Sequence, residues 1–277
     1  MQLGVTIFLT DQTIGPVEVA RAVEERGFHS LYLPEHTHIP VERRTPPPTG
    51  DGELPEMYRR IVDPYVALAA AAAVTERIEL GTGIALVAQH DPIVLAKEIA
   101  TLDHVSGGRF VFGVGFGWNE DEMEDHGVEY RTRRARVREH VLLMNALWSQ
   151  DVGAFDGDFV RVSPSWSWPK PVQRPRPRTL IGGAAGPKLF AHAAEYADGW
   201  FPIGGAGVAK ALPDLRQAFA DAGRDPDQVQ VVPFGTLPSA GKLDHYREIG
   251  MTEVVFSLPS AGRDTVLRVL DDYVQYL

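Results

Sequence analysis

The run Leu33-Pro34-Glu35-His36-Thr37-His38 places one carboxylic acid and two imidazoles side by side. Imidazole changes charge near neutral pH, so it can give or take a proton during a reaction. His36 is the leading candidate for that work, with Glu35 as its acidic neighbour. A histidine at a strand end also serves simply by hydrogen-bonding the backbone, and position alone does not separate the two roles. A metal centre of His36, His38 and Glu35 would need ligands from elsewhere in the chain. His90, His104 and His126 show no ligand-like spacing, so no metal is expected.

Three glycine-containing segments could admit a ligand close to the backbone. Thr82, Gly83 and Ile84 lie in a run that otherwise favours β structure, where glycine allows a bulge or a flat ring to rest on the chain. Gly113 to Trp118, with Gly115 and Gly117, lacks the spacing and the Lys-Ser/Thr ending of a phosphate-gripping loop. Gly182, Gly183, Ala184, Ala185, Gly186, Pro187 and Lys188 open a helix, where free amides and a cation would suit a phosphate. A tight strand-to-helix turn without a ligand has the same composition.

These residues need a scaffold that gathers them. Short β-branched or aromatic runs alternate with longer helical ones, as in buried parallel strands that are each followed by a helix. Strands are expected at Leu3 to Leu9, Ser30 to Pro34, Ile78 to Leu86, Arg109 to Gly115, Thr179 to Gly183, Gly199 to Pro202, Gln230 to Thr236 and Glu253 to Leu258. Helical spacing is clearest at Val17 to Arg26, Pro64 to Thr75, Pro92 to Val105, Arg133 to Trp148, Pro187 to Tyr196, Val208 to Ala222 and Ala261 to Tyr276. Eight such units make an α/β fold of the (β/α)8 TIM-barrel type, a single domain over residues 1–277 with loop insertions at the C-terminal mouth. An open doubly wound sheet would show the same alternation, but no GxGxxG opening is present. The candidates above then fall in the C-terminal part of a strand or just after it, where barrels carry their reactive groups. Residues Ile39 to Ile61, rich in proline and glycine, are long enough to cover that mouth. Phe155 to Arg178 offers a small hairpin with Trp166 and Trp168, able to wall a pocket or to cover the core.

Composition narrows the partners. The chain has 277 residues, 27 basic against 37 acidic, and a formal charge of −10, which repels nucleic acid and acidic membranes. It has no cysteine, hence no disulfide, thiolate metal site or cysteine nucleophile. Its longest apolar run, Val66 to Val74, is far shorter than the roughly 20 residues of a bilayer span. A soluble cytoplasmic protein with a small-molecule substrate is expected.

Together, Leu33 to Pro40 (LPEHTHIP), Glu76 to Leu86 (ERIELGTGIAL), His90 to Trp118 and Ile181 to Pro202 resemble the luciferase-like monooxygenase superfamily. The similarity is closest to the branch that uses the deazaflavin coenzyme F-420. The resemblance implies a non-prolyl cis peptide between Gly83 and Ile84 supporting the cofactor ring. It places His36 beside that ring and Gly115, Gly117 and Trp118 along its edge. Gly182, Gly183, Ala184, Gly186 and Lys188 would surround the cofactor phosphate. It further implies a homodimer. Where the family's sugar-phosphate dehydrogenases carry an acid after the fourth-strand glycines, this chain has Trp118, and Glu35 replaces the usual aspartate. With Phe116, Trp166 and Trp168, Trp118 suggests an apolar or aromatic substrate. The expected function is hydride transfer between F-420 and such a substrate. An FMN-dependent monooxygenase fed by a separate reductase, a non-catalytic flavin-binding protein and a metal hydrolase are the alternatives.

Overall fold

The computed structural model describes residues 1–47 and 52–277; Pro48 and Gly50 of the long proline-rich loop lie outside the described residues. The strands are β1 (Gln2–Thr6), β2 (Ser30–Leu33), β3 (Glu79–Thr82), β4 (Phe110–Val114), β5 (Gly153–Asp156), β6 (Arg161–Ser165), β7 (Arg178–Gly182), β8 (Gly199–Phe201), β9 (Gln230–Val231) and β10 (Glu253–Ser257). The helices are α1 (Pro16–Glu25), α2 (Pro64–Ala72), α3 (Pro92–Val105), α4 (Glu120–Asp125), α5 (Arg133–Ser149), α6 (Pro187–Tyr196), α7 (Val208–Asp221), α8 (Ala240–Glu248) and α9 (Arg263–Tyr273).

Eight strands form one parallel sheet in the order β10-β1-β2-β3-β4-β7-β8-β9. Its two edges meet where the Thr236 amide donates to the Val255 carbonyl at 3.0 Å and the Ser257 amide to that of Thr236 at 2.9 Å. The expected (β/α)8 barrel is therefore the observed one. Local chemistry sets the helix starts. The carboxylates of Asp63 and Asp91 accept amides of the first turns of α2 and α3, and each is followed by a proline that has no amide to satisfy. The strands are shorter than expected because several leave the sheet early. The third stops at Thr82, after which the chain bends across the mouth. Two helices lack a readable period: α4 carries five acids and one apolar residue, and α8 buries only Leu243 and Tyr246.

The barrel interior is filled in layers. At its N-terminal floor, Arg178 donates to Gln230 at 2.6 Å, Glu79 at 2.6 Å and Glu253 at 3.0 Å. Glu253 also accepts from Ser30 at 2.5 Å and from the Tyr32 hydroxyl at 3.2 Å. Above this lie the rings of Tyr32, Phe201 and Phe234, with centroids 5.1 Å (Tyr32 to Phe201) and 4.6 Å (Phe201 to Phe234) apart. His29, Glu79 and Glu253 are close enough to share a cation. The Arg178 guanidinium already supplies one to both carboxylates.

One expectation is corrected here. Trp166 and Trp168 do not wall a cavity but stand 77% and 55% exposed. The hairpin β5–β6 packs on α5, and the segment after it returns over α3, where the Lys97 ammonium donates to the Trp168 carbonyl. The cause is topological: this stretch leads from the end of α5 into the start of β7, the barrel face opposite the mouth. Among the described residues no helix is long and apolar enough to cross a membrane.

Arg178→Met should leave Glu79 and Glu253 without their cation and cost about 3 kcal/mol, read as a lower urea midpoint at unchanged slope. An unaltered midpoint would show that the floor does not hold the barrel closed. His29 adds a pH signature, because its hydrogen bond to Glu79 raises its imidazole above the ordinary value. The stability it contributes is complete below the ordinary imidazole pKa and is lost as the pH rises through the raised one. A pH series of urea melts should therefore show a decline over that window that His29→Gln flattens.

Candidate active site

The site is built on the bend that follows β3. The Gly83–Ile84 peptide is cis, and the chain there runs over the aromatic layer. A Cβ on Gly83 would lie 2.6 Å from the Phe234 ring, so only glycine lets the bend settle onto it. The Ile84 side chain then lies across β4 and β7. An added Cβ on Gly115 would overlap its Cδ1, and one on Gly182 would meet its Cγ2 at 3.2 Å. Thr82 is fully buried and donates its hydroxyl to the Gly113 carbonyl at 2.8 Å, so it ties β3 to β4 beneath the bend.

His36 leaves the end of β2 into this mouth and is 8% exposed. Its Nδ1 is 2.7 Å from Glu122 Oε2, and Trp118 Nε1 donates to its Nε2 at 3.3 Å. The rings of Trp118 and Tyr58 stand 5.7 and 5.5 Å from the imidazole, and the Phe8 ring packs at a tilt against Tyr58 with centroids 4.9 Å apart. Burial raises the Tyr58 phenol above its ordinary value and keeps it a neutral donor. Phe116, expected beside Trp118, instead lies under the Arg134 guanidinium at 4.4 Å and beside His192.

Glu35 is buried too, but both of its oxygens are spent on the connection between β3 and α3. One accepts the Leu86 amide at 2.6 Å and the other meets His90 Nε2 at 2.7 Å. Burial pulls the His90 imidazole down, yet the Glu35 hydrogen bond and charge outweigh it and hold it above the ordinary value. Glu35 thus holds the downstream flank of the bend.

The described part of the Ile39 to Ile61 loop covers this mouth, bringing in Tyr58, and α4 anchors its start. Asp121 accepts both amides of Arg44 and Thr45, the Thr45 hydroxyl at 3.0 Å and the Arg44 guanidinium at 2.9 Å. The Arg44 hydrogen bond holds the Asp121 carboxyl far below the usual carboxylate range. Next to it, Glu122 is fully buried, accepts the Thr37 amide at 3.2 Å and faces His36. Gly117, at φ 72°, makes the turn into α4.

Across the mouth, Gly182 ends β7 and Gly186 precedes α6, with Ala184 and Lys188 exposed. Trp200 Nε1 donates to the Gly183 carbonyl at 2.9 Å. In a trans peptide the following amide points the opposite way, so the Ala184 N–H is directed away from Trp200. The unpaired first amides of α6 and the Lys188 ammonium make this rim suited to an anion. The structure thus brings His36, Trp118, Gly83, Ile84 and Gly115 together at one mouth, with the Gly182 to Lys188 turn on its rim. Sequence reasoning missed Glu122 and Tyr58. For Glu122 a signal existed: Asn119 followed by three acids is a helix start.

A family model described as luciferase-like monooxygenase matches residues 15–248. An uncharacterized Mycobacterium tuberculosis protein is 47% identical over 267 residues, 95% of this chain and 94% of its own length. An F-420-dependent glucose-6-phosphate dehydrogenase of Nakamurella multipartita is 30% identical over 231 residues, 80% of this chain and 63% of that one. A Streptomyces bottropensis monooxygenase superposes with a TM-score of 0.79 at 23% identity, over 100% of this chain and 98% of the other, which shows a shared fold. With the barrel and the family match in agreement, the chain belongs to the luciferase-like monooxygenase family of oxidoreductases.

Proposed function

We propose that the protein is an F-420-dependent oxidoreductase acting on a small organic substrate held between His36, Trp118, Tyr58 and Phe8. The observation that carries this is the cradle at the barrel mouth, where Gly83 and Gly115 are too close to a neighbour to bear a side chain and Gly182 lies in tight contact with the Ile84 side chain. A flat tricyclic ring fits against such a bend, with Gly115, Gly117 and Trp118 along its edge and its phosphate toward Gly183, Ala184 and Lys188. The buried side-chain amide of Asn119, two residues after Gly117, has no partner among the described residues. When bound, the deazaflavin supplies the hydride chemistry. His36 exchanges a proton at Nε2, Glu35 holds the flank of the bend, and the aromatic cover excludes water. The dehydrogenase relative supports the choice of F-420, and the aromatic setting of His36 supports an apolar or aromatic substrate. The reading extends to a cytoplasmic homodimer.

A second reading, an FMN-dependent monooxygenase supplied by a separate reductase, is favoured by the monooxygenase that shares this barrel over the whole chain. Fluorescence titration of the purified protein with F-420 and, in parallel, FMN decides between them. Tighter binding of F-420 is expected, and preference for FMN would move the assignment to the second reading. Lys188→Glu should weaken the preferred cofactor roughly tenfold, the worth of one charge-assisted contact. Gly115→Ala should displace Ile84, cost about 1–3 kcal/mol of stability and weaken both cofactors. Binding of neither by the unaltered protein would remove the cradle as a cofactor site.

A further inference from the structure

We infer that Glu122 is a positioning residue that fixes the tautomer of His36, leaving Nε2 as the bare acceptor presented to the substrate. The inference rests on the reading of the barrel mouth as the reaction chamber. Its physical basis is separate. An indole nitrogen can only donate, so the Trp118 Nε1–H at 3.3 Å requires a lone pair on His36 Nε2. The proton of the neutral ring then sits on Nδ1 and is donated to Glu122 Oε2 at 2.7 Å. Glu122 is itself fixed, because it is fully buried and its other oxygen accepts the Thr37 amide. The groups that face the imidazole are thus one carboxylate from α4, one indole donor after β4 and the Tyr58 ring of the covering loop. A buried carboxylate behind a histidine orients the ring and steadies its charged form in the same way in acyl-transfer triads.

The arrangement points to the chemistry of the substrate. Trp118 holds the place of a donor, so the group that displaces it at Nε2 is itself a donor, such as the hydroxyl of an alcohol. In the oxidation of such an alcohol to a carbonyl its hydroxyl proton would pass to Nε2 while the hydride from the same carbon would go to the deazaflavin, and the resulting imidazolium would keep its Nδ1–H on Glu122. Glu122 touches neither cofactor nor substrate in this scheme, and it acts through His36.

Imidazole 15N shifts in the cofactor-free protein, recorded where the ring is neutral, test this directly. The unaltered protein should show a protonated Nδ1 and a bare Nε2. With the Trp118 donor also removed by Trp118→Phe, Glu122→Leu should convert His36 mainly to the Nε2–H form, whereas Trp118→Phe alone should leave the Nδ1–H form in place. Glu122→Gln in the same Trp118→Phe background, whose amide can face Nδ1 with oxygen or nitrogen, should give a mixture and covers the case in which the leucine variant does not fold. An Nε2–H ring in the unaltered protein overturns the inference, as does a tautomer that survives in both Glu122 variants. F-420 and FMN titrations of the same samples keep the two readings apart: loss of cofactor binding by the unaltered protein sinks the functional assignment and leaves the tautomer result standing.

Discussion

Two carboxylates inside a barrel floor cannot stand beside each other without a cation, and this constraint governs the molecule. Glu79 and Glu253 come from strands on either side of β1 and β2, and Arg178 reaches them from β7. Burial opposes charge on the guanidinium, yet its carboxylate partners more than compensate, and its pKa is raised. The ion cluster links β3, β7, β9 and β10, and through Tyr32 and Ser30 it also holds β2. Each layer above depends on it. Tyr32 is pinned through its hydroxyl and supports Phe201 and Phe234, and these support the bend at Gly83. The height and flatness of the cradle are therefore set from the opposite end of the barrel.

The mouth is organised by a different device, the acidic helix α4. Its consecutive residues Asp121 and Glu122 divide the work, the first holding the covering loop and the second holding His36. Asp125 and Glu124 extend the grip to His38 and Arg44. A net negative chain thus places much of its excess acid where it is consumed by loop amides, an arginine and imidazoles.

Much of the scaffold was legible in the sequence because βα alternation, Asp-Pro helix starts and glycine stops are local signals. The helices at Pro92 to Val105 and Pro187 to Tyr196 have the expected ends. His36 and the glycine segments were legible as strand-end residues, and the cis bend from family resemblance. What stayed hidden was set by tertiary pairing. Glu122 looks like surface acid until His36 and Thr37, far away in sequence, close over it. Arg178 reads as an ordinary strand start until its partners from three other strands surround it. Trp166 and Trp168 misled because aromatic composition does not reveal which face of a barrel a connection serves.

The adjacency of Asp121 and Glu122 has a mechanical meaning. The segment at Arg44 and Thr45 cannot lift away from the barrel by shifting α4 without also disturbing the carboxylate on which the His36 ring leans. The start of the covering segment and the orientation of the His36 ring therefore lean on one helix of six residues. A displacement of either would be passed to the other through two neighbouring side chains.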